Sequence, residues 1–327
     1  MSRRRVTFAV LFACALVAGG CGGDDGDEGA AKPPPEARPE QFPAAAGKTL
    51  LELRAALPKA GPVLAPSVSQ FTPGENRLGF GLFTASRAQI ADAATAVYVA
   101  PAGGGEAQGP YVARYESLEV KPQFQSQSSA SDPDAAKSVY VANVPFDKPG
   151  QYQLLGIARL DDRLVAATSA LPEITVSPED TVPAVGAKAP VIHTPTEADA
   201  AGDIESIDTR VPPSTMHEVD FADVVGKKPV VLVFATPRLC QSRVCGPVVD
   251  VAEQLKAEYG DEVEFIHMEI YKNNEIQDGF RPQVAAWRLP SEPWAFAIDK
   301  QGKIAARLEG AYSARELQAA IEKALKS

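Results

Sequence analysis

The feature that most constrains this chain is a pair of cysteines, Cys240 and Cys245, placed directly after an apolar run. The run, residues 229–235, has the length and the β-branched composition of a buried strand. Four residues separate the cysteines, and in one regular helix this separation would put their Cα atoms about 8.5 Å apart. A disulfide needs less than about 7 Å. A bridge therefore requires Cys240 in a loop and Cys245 in the first turn of a helix.

The N-terminus determines which cysteine chemistry is permitted. Three arginines precede an apolar run from Val6 to about Ala18, and small residues then lead to Cys21. This is the pattern of a secretory signal peptide over residues 1–20, and it resembles the bacterial lipobox, in which the cysteine is lipidated. We expect lipidation at Cys21 and a location on the extracytoplasmic face of the cell membrane. A plain signal peptide with an incidental cysteine is the alternative.

The composition of residues 21–60, rich in Gly, Asp, Glu, Pro and Ala, predicts a disordered tether. Of the 4 cysteines, Cys14 leaves with the signal peptide and Cys21 would carry lipid. Cys240 and Cys245 are then the remaining thiols. Disulfides form and persist outside the cytoplasm, so pairing with each other is the default, and binding to a metal or to a partner protein is the alternative.

The charge balance argues against two classes of partner. The full chain has 32 Lys and Arg against 42 Asp and Glu. Without the three arginines of the signal segment, 29 basic residues remain and the net charge is about −13. Such a chain is a poor candidate for nucleic acid or for an anionic lipid surface. We expect no nucleic-acid partner, and membrane contact through the lipid anchor.

Residues 61–180 predict an antiparallel β-sandwich. Short alternating or apolar segments are separated by clusters of Gly, Pro, Asp and Ser. These segments are residues 77–84, 96–101, 111–119, 138–146, 152–160 and 164–177. The stretches TPGENRLGFGLF and FDKPGQYQL resemble immunoglobulin-like domains of bacterial envelope proteins. This region contains no His and no Cys, so we expect a docking or spacer role for it.

A linker is predicted at residues 181–218, again rich in Pro, Ala and acidic residues, and residues 219–327 then alternate between β and α patterns. The expected elements are a strand at 229–235, a helix at 243–259, a strand at 263–271, a helix at 281–289, a hairpin with its turn at 300–302, and a closing amphipathic helix. In that last helix, apolar residues recur at helical spacing.

This C-terminal half resembles the thioredoxin-like proteins, particularly the envelope-anchored TlpA/ResA and SCO types. The resemblance lies in KKPVVLVFATPRLC, in GPVVDVAEQL and in LPSEPWAFAIDKQGKIAARLEG. It implies an α/β thioredoxin-like domain after the β-sandwich. The departure lies at the active site, where a C-x4-C pair replaces the C-x-x-C of thioredoxins or the C-x-x-x-C of SCO proteins.

The resemblance also implies roles for site residues. Cys240 would attack a substrate disulfide, Cys245 would resolve the mixed disulfide, and Pro293 matches the cis-proline whose loop offers backbone to an extended substrate. The implied activity is that of a thiol–disulfide oxidoreductase that acts on extracytoplasmic protein thiols or disulfides.

Neighbouring charges are expected to tune the attacking thiol. A helix N-terminus and the side chains of Arg238 and Arg243 would favour the Cys240 thiolate. Glu292, the residue before the proline, would oppose it.

Three alternatives stay open. A structural disulfide would make the chain a redox-inactive binding module, since fold alone does not establish function. SCO-type proteins are similar in binding copper with two cysteines and a histidine, and soft thiolates suit Cu(I); we assign no metal site, and His267, the candidate ligand, falls within a predicted strand. Peroxiredoxins are similar in fold, but their threonine lies three residues before the reactive cysteine, whereas Thr236 lies four before it.

Overall fold

The computed structural model describes residues 36–58, 61–167 and 171–327. Their strands are β1 (Val63–Pro66), β2 (Gly74–Phe83), β3 (Thr95–Pro101), β4 (Gln108–Ser117), β5 (Ser138–Phe146), β6 (Gly150–Leu160), β7 (Arg163–Ala166), β8 (Glu173–Val176), β9 (Val230–Phe234), β10 (Glu264–Met268), β11 (Trp294–Ile298) and β12 (Ile304–Glu309). Their helices are α1 (Leu50–Ala55), α2 (Gln127–Ser131), α3 (Phe221–Val224), α4 (Cys245–Tyr259), α5 (Pro282–Ala286) and α6 (Ala314–Lys326). The signal peptide and Cys21 lie outside the described residues.

The strands from β1 to β8 form one continuous antiparallel sheet in the order β1-β2-β5-β4-β3-β6-β7, with β8 also paired to β6. Strand β4 changes partner along its length, because residues 108–112 pair with β3 and residues 113–117 pair with β5. One apolar cluster takes residues from both halves of the sheet, among them Leu64, Phe80 and Val144 from one half and Val97, Leu154 and Val165 from the other. The sheet therefore folds over on itself around a shared core.

The C-terminal part has a four-stranded sheet in the order β10-β9-β11-β12. Strand β10 is parallel to β9, and β11 and β12 run antiparallel to their neighbours. Alternate residues of β9 face opposite sides, because Val231 and Val233 contact the core around α4 and α6 while Leu232 contacts the core around α3 and α5. The order β-α-β, helix, hairpin, helix confirms the thioredoxin-like arrangement predicted for this region.

The two sheets belong to one compact unit. Residues of the β4–β5 region, Leu118, Val139 and Val141, join the core around α4. Arg77 of β2 forms two 2.8 Å hydrogen bonds to Glu316 of α6, and also donates to the carbonyl oxygens of Glu309 and Ala311. The eight-stranded sheet is thus bound tightly to the thioredoxin-like part.

Two predictions about connecting segments are wrong for the residues described. The tether predicted over 21–60 includes α1, which begins with a Thr49 capping box and buries Leu50 and Leu53 against the sheet. The linker predicted over 181–218 packs along the thioredoxin-like part and buries Val182 and Ile192 in its core. Both segments carry enough well-spaced apolar residues to offset the entropy of ordering them. No helix in the described part of the chain is long and apolar enough to cross a membrane.

Candidate thiol–disulfide site

The cysteine loop, residues 235–244, connects the central strand β9 to helix α4. The carbonyl oxygen of Thr236 accepts hydrogen bonds from the N–H groups of Leu239 and Cys240, and the Cys240 carbonyl accepts one from Arg243. Arg243 has a φ of 57°, a left-handed conformation that reverses the chain before the helix. Cys240 therefore lies in the loop and Cys245 is the first residue of α4, as a C-x4-C bridge requires.

Both cysteines are free thiols in this structure. Cys240 is 8% exposed and Cys245 is fully buried. The Sγ atoms of both residues and a carboxylate oxygen of Glu292 lie within 4.8 Å of one another. The hydroxyl of Ser242 lies 3.2 Å from Cys240 Sγ. The pair is thus asymmetric, with one sulfur near solvent and the other behind it.

The environment separates the two thiols in acidity. Hydrogen bonds from the Cys245 thiol, the Ser242 hydroxyl and the backbone N–H groups of Cys245 and Val244 outweigh burial and lower the pKa of Cys240 to about 6. These two backbone N–H groups have no acceptor within α4, because they lie at its N-terminus and the N-cap residue Val244 offers no side-chain cap. Burial first, and then the hydrogen bond to Cys240, raises the pKa of Cys245 well above its ordinary value. At neutral pH, Cys240 is the thiolate.

Glu292 lies beside the pair, in the loop before β11, and the Glu292–Pro293 peptide bond is cis. Burial, together with the nearby Cys240 and Glu269, raises the pKa of Glu292 to about 8. Among the described residues, its Oε2 atom has no hydrogen-bond partner. The carboxyl group therefore exchanges a proton near neutral pH, close to a buried thiol.

The two arginines of the loop take different positions. The Arg243 guanidinium forms an ion pair with Asp132 in the β4–β5 loop, and Asp134 lies 3.9 Å away. Arg238 is exposed, and its backbone N–H donates to the Thr209 hydroxyl. Within the part of the chain that the structure describes, the Arg238 guanidinium has no ion-pair partner.

A cavity of about 630 Å³ opens at Cys240. One wall is the cysteine loop, with Arg238, Gln241 and Arg243. A second wall is formed by α2 and the residues after it, which belong to the loop between β4 and β5. The β-sheet part of the chain, β1 to β8 with the segments between them, therefore lines the cavity beside the reactive sulfur. The sequence did not predict this contribution.

His267 lies away from the cysteine pair, in a second buried cluster with Asp208 and His217. Asp208 Oδ2 is 3.0 Å from His217 Nε2 and 3.4 Å from His267 Nδ1, and His267 Nε2 donates to the Ala235 carbonyl at 3.1 Å. Burial opposes protonation of His267, but the Asp208 carboxylate outweighs it and raises the pKa of His267 to about 9. The cluster is a buried ion pair that attaches the 203–217 segment to β10.

Glu269 is a site residue that sequence reasoning missed. It is buried directly after β10, and its Oε1 accepts hydrogen bonds of 2.8 and 2.6 Å from the N–H and hydroxyl of Thr209. The sequence carried a signal for Glu269, an acidic residue directly after a predicted strand. Because β9 and β10 are parallel, the residues that follow both strands meet at one edge of the sheet. No comparable signal marks α2, because its position depends on the packing of the two sheets.

No family model matches the chain, and no curated protein matches it. Among solved structures, one match is a protein described as thiol:disulfide interchange protein DsbE from Chlorobium tepidum, with 19% identity and a TM-score of 0.32, over 43% of this chain and 98% of that one. Another is a thioredoxin-family thiol:disulfide interchange protein from Chlorobium tepidum TLS, with 15% identity and a TM-score of 0.31, over 43% and 97%.

Proposed function

We propose that this protein is a membrane-anchored, extracytoplasmic thiol–disulfide oxidoreductase whose working pair is Cys240 and Cys245. The observation that carries the proposal is the asymmetry of the pair. Cys240 has a pKa of about 6 and borders an open cavity, while Cys245 is buried with a raised pKa. An attacking thiol needs a lowered pKa and access to the substrate, and a resolving thiol lies behind it, protected from solvent.

The exchange follows from these positions. The Cys240 thiolate attacks one sulfur of a substrate disulfide, so that a Cys240–substrate bond forms and the other substrate sulfur leaves as a thiolate. Cys245 then loses its proton and attacks Cys240 Sγ, which releases the second substrate thiolate. The substrate gains two electrons and the Cys240–Cys245 pair becomes a disulfide. Oxidation of a substrate dithiol runs through the same bonds in reverse.

Glu292 is suited to accept the proton of Cys245. Its carboxyl oxygen lies within 4.8 Å of the Cys245 sulfur. The charge of the Cys240 thiolate is one cause of the raised pKa of Glu292, about 8. Formation of the Cys240–substrate bond removes that charge, so Glu292 ionises at this step and can take up the Cys245 proton. Pro293 follows Glu292 across a cis peptide bond, and its carbonyl oxygen accepts a 2.9 Å hydrogen bond from the Gly310 N–H. We assign Glu292 as the proton acceptor and Cys240, Cys245 and Pro293 as the exchange site.

Anchoring belongs to the same proposal. The signal-like residues 1–20 and the lipobox-like Cys21 support attachment to the extracytoplasmic face of the cell membrane. The partners are extracytoplasmic protein thiols or disulfides, and the net negative charge disfavours nucleic acid. We also propose that the folded-over β-sheet is an immunoglobulin-like module.

Trapping of mixed disulfides tests the assignment. The full-length Cys245→Ser variant, mixed with a disulfide-bonded peptide, should accumulate a covalent adduct at Cys240 that survives on a non-reducing gel. Cys240→Ser should accumulate none, because Cys245 is buried. Equal behaviour of the two variants would overturn the assigned roles.

A second candidate function is copper binding. The observation behind it is the convergence of two sulfurs and the Glu292 carboxylate within 4.8 Å, a donor set whose thiolates suit Cu(I). His267 takes no part in this alternative, since it lies in the other cluster. Titration of the reduced protein with Cu(I) would show one tightly bound ion, lost in both cysteine variants, if this alternative holds.

A further inference from the structure

The cavity at Cys240 is lined by residues from both parts of the chain, so the β-sheet part helps to form the surroundings of the reactive sulfur. Helix α2 and the residues that follow it form a wall of the cavity in addition to the cysteine loop. Ser128, Ser129 and Asp132 of this wall line the cavity. A molecule that reaches Cys240 through this cavity therefore contacts residues of both parts of the chain.

The wall is fixed at its base. Asp250 of α4 accepts hydrogen bonds from the N–H and hydroxyl of Ser126, both at 3.1 Å, and forms an ion pair with Arg210 at 2.9 Å. Arg210 also donates to the Phe124 carbonyl at 2.7 Å. These groups are buried or nearly so, which makes such a network rigid.

The wall also approaches α4 closely. A Cβ atom at Gly246, the residue after Cys245, would lie 3.1 Å from Ser129 Oγ. This contact places the serine-rich wall beside the first turn of the helix that carries the site. At the outer rim, the ion pair between Arg243 and Asp132 joins the two walls.

These dimensions restrict what reaches the sulfur. The cavity volume of about 630 Å³ falls within the roughly 300–1,000 Å³ of small-ligand sites. A folded partner would need to bring roughly 800 Å² of surface against the site for a standard interface, and only 8% of Cys240 is exposed. The cavity is therefore sized for a short extended segment of polypeptide.

The charges of the lining favour one kind of segment. Asp132 is the carboxylate in the lining, and it is paired with Arg243. Asp134 also lies 3.9 Å from Arg243 but is outside the lining. Arg238 lines the cavity, is exposed, and has no ion-pair partner among the described residues. The hydroxyl groups of Ser128 and Ser129 add donors for a carboxylate. The net negative charge of the chain acts at longer range and is screened beyond about 8 Å at physiological salt.

We propose that this cavity is a substrate-recognition site that binds an extended peptide segment with an acidic residue next to its cysteine, and that Arg238 contacts that acidic side chain. The inference deepens the proposed oxidoreductase function and rests on it. The bonds that form and break are those of the exchange described above.

The test compares two peptides whose single cysteine is joined in a mixed disulfide to the same small thiol, which is the leaving group. One peptide has Asp beside the cysteine and the other has Lys. The reduced full-length protein should react with the Asp peptide faster by roughly threefold to tenfold. Arg238→Glu should reverse this preference, and Arg238→Gln should abolish it. The ratio of the two rates is the readout, because a change in thiolate fraction affects both peptides equally.

Lys300→Glu is the matched control. Lys300 lies in the turn at the far end of β11 from Glu292, so this charge change should leave the ratio unaltered. Equal rates for the two peptides in the wild-type protein would overturn the inference. A folded protein with a surface disulfide that reacts as fast as the Asp peptide would overturn it too.

Failure of the inference is distinguishable from failure of the proposed function. If the pair exchanges with dithiothreitol, which is small and uncharged, but shows no peptide preference, the recognition site alone is wrong. If the pair does not exchange with dithiothreitol either, the oxidoreductase proposal is wrong and the recognition site falls with it.

Discussion

The carboxyl group of Glu292 and the thiol of Cys245 lie within 4.8 Å of each other, and burial raises the pKa of both. Each group thus prefers its neutral form while Cys240 holds the charge of the site. The site therefore holds one negative charge, on Cys240, rather than three on Cys240, Cys245 and Glu292. Because the raised pKa of Glu292 is a property of the folded state, the stability of the reduced protein depends on pH.

Replacing Glu292 with Gln should remove part of that dependence. The folded state raises the pKa of Glu292 from 4.5 to about 8, so its contribution to stability is complete below pH 4.5 and is lost as the pH rises towards 8. Gln has no such proton. The reduced Glu292→Gln variant should therefore gain stability relative to the wild type as the pH rises. Between pH 4.5 and pH 8, the difference between their free energies of unfolding should change in favour of the variant by about 1.4 kcal/mol or more. Urea unfolding across this range measures it, and a constant difference would contradict the shift.

Alkylation should report the acidity of Cys240 directly. Because its pKa is lowered to about 6, the rate of reaction with iodoacetamide should rise with a midpoint near pH 6 and level off above it. Mass spectrometry of the modified protein should place the first label on Cys240. A midpoint near the ordinary value of about 8.5 would show that the hydrogen bonds to the sulfur do not stabilise the thiolate.

The source of that acidity is also testable. The hydrogen bond from Cys245 is the largest cause of the lowered pKa of Cys240, and the bond from Ser242 is a smaller one. Cys245→Ala should therefore move the alkylation midpoint upward by more than Ser242→Ala does. The matched variant Cys245→Ser keeps a donor and should move it less than Cys245→Ala. The reverse order would assign the effect to other groups.

The connection between the two parts should contribute measurably to stability. The Arg77–Glu316 pair has side chains that are only 19% and 10% exposed, and Arg77 donates four hydrogen bonds across the contact. Arg77→Ala should lower the free energy of unfolding by about 2–4 kcal/mol. Arg114 is the control. It is 37% exposed and lies 3.6 Å from Glu316 and 3.2 Å from Glu116, and Glu116 keeps Ser313 and Arg315 as partners when Arg114 is removed. Its loss should therefore cost less than about 1 kcal/mol.

Local patterns predicted the elements of the thioredoxin-like part, because strands such as β9 are continuous apolar runs and α6 has strict helical spacing. The loop position of Cys240 followed from elementary helix geometry. Such features depend on neighbours in sequence, so a single chain is enough to identify them.

Features that depend on contacts distant in sequence could not be predicted in this way. The ordering of 36–58 and of 181–218 requires apolar surfaces that other elements supply. The approach of Ser129 to Gly246 joins residues more than a hundred positions apart. Composition predicted a disordered tether over 21–60 and a linker over 181–218, because composition does not reveal how few buried residues are needed to order a segment once a partner surface exists.

The most direct test of the central claim is the reduction potential of the Cys240–Cys245 pair, measured by equilibrating the full-length protein with dithiothreitol or glutathione and quantifying free thiols. An exchanging pair should have a potential between about −120 and −280 mV. A bond that resists reduction to below about −300 mV would mark a structural disulfide. Such a bond, or thiols that never pair, would contradict the proposed exchange.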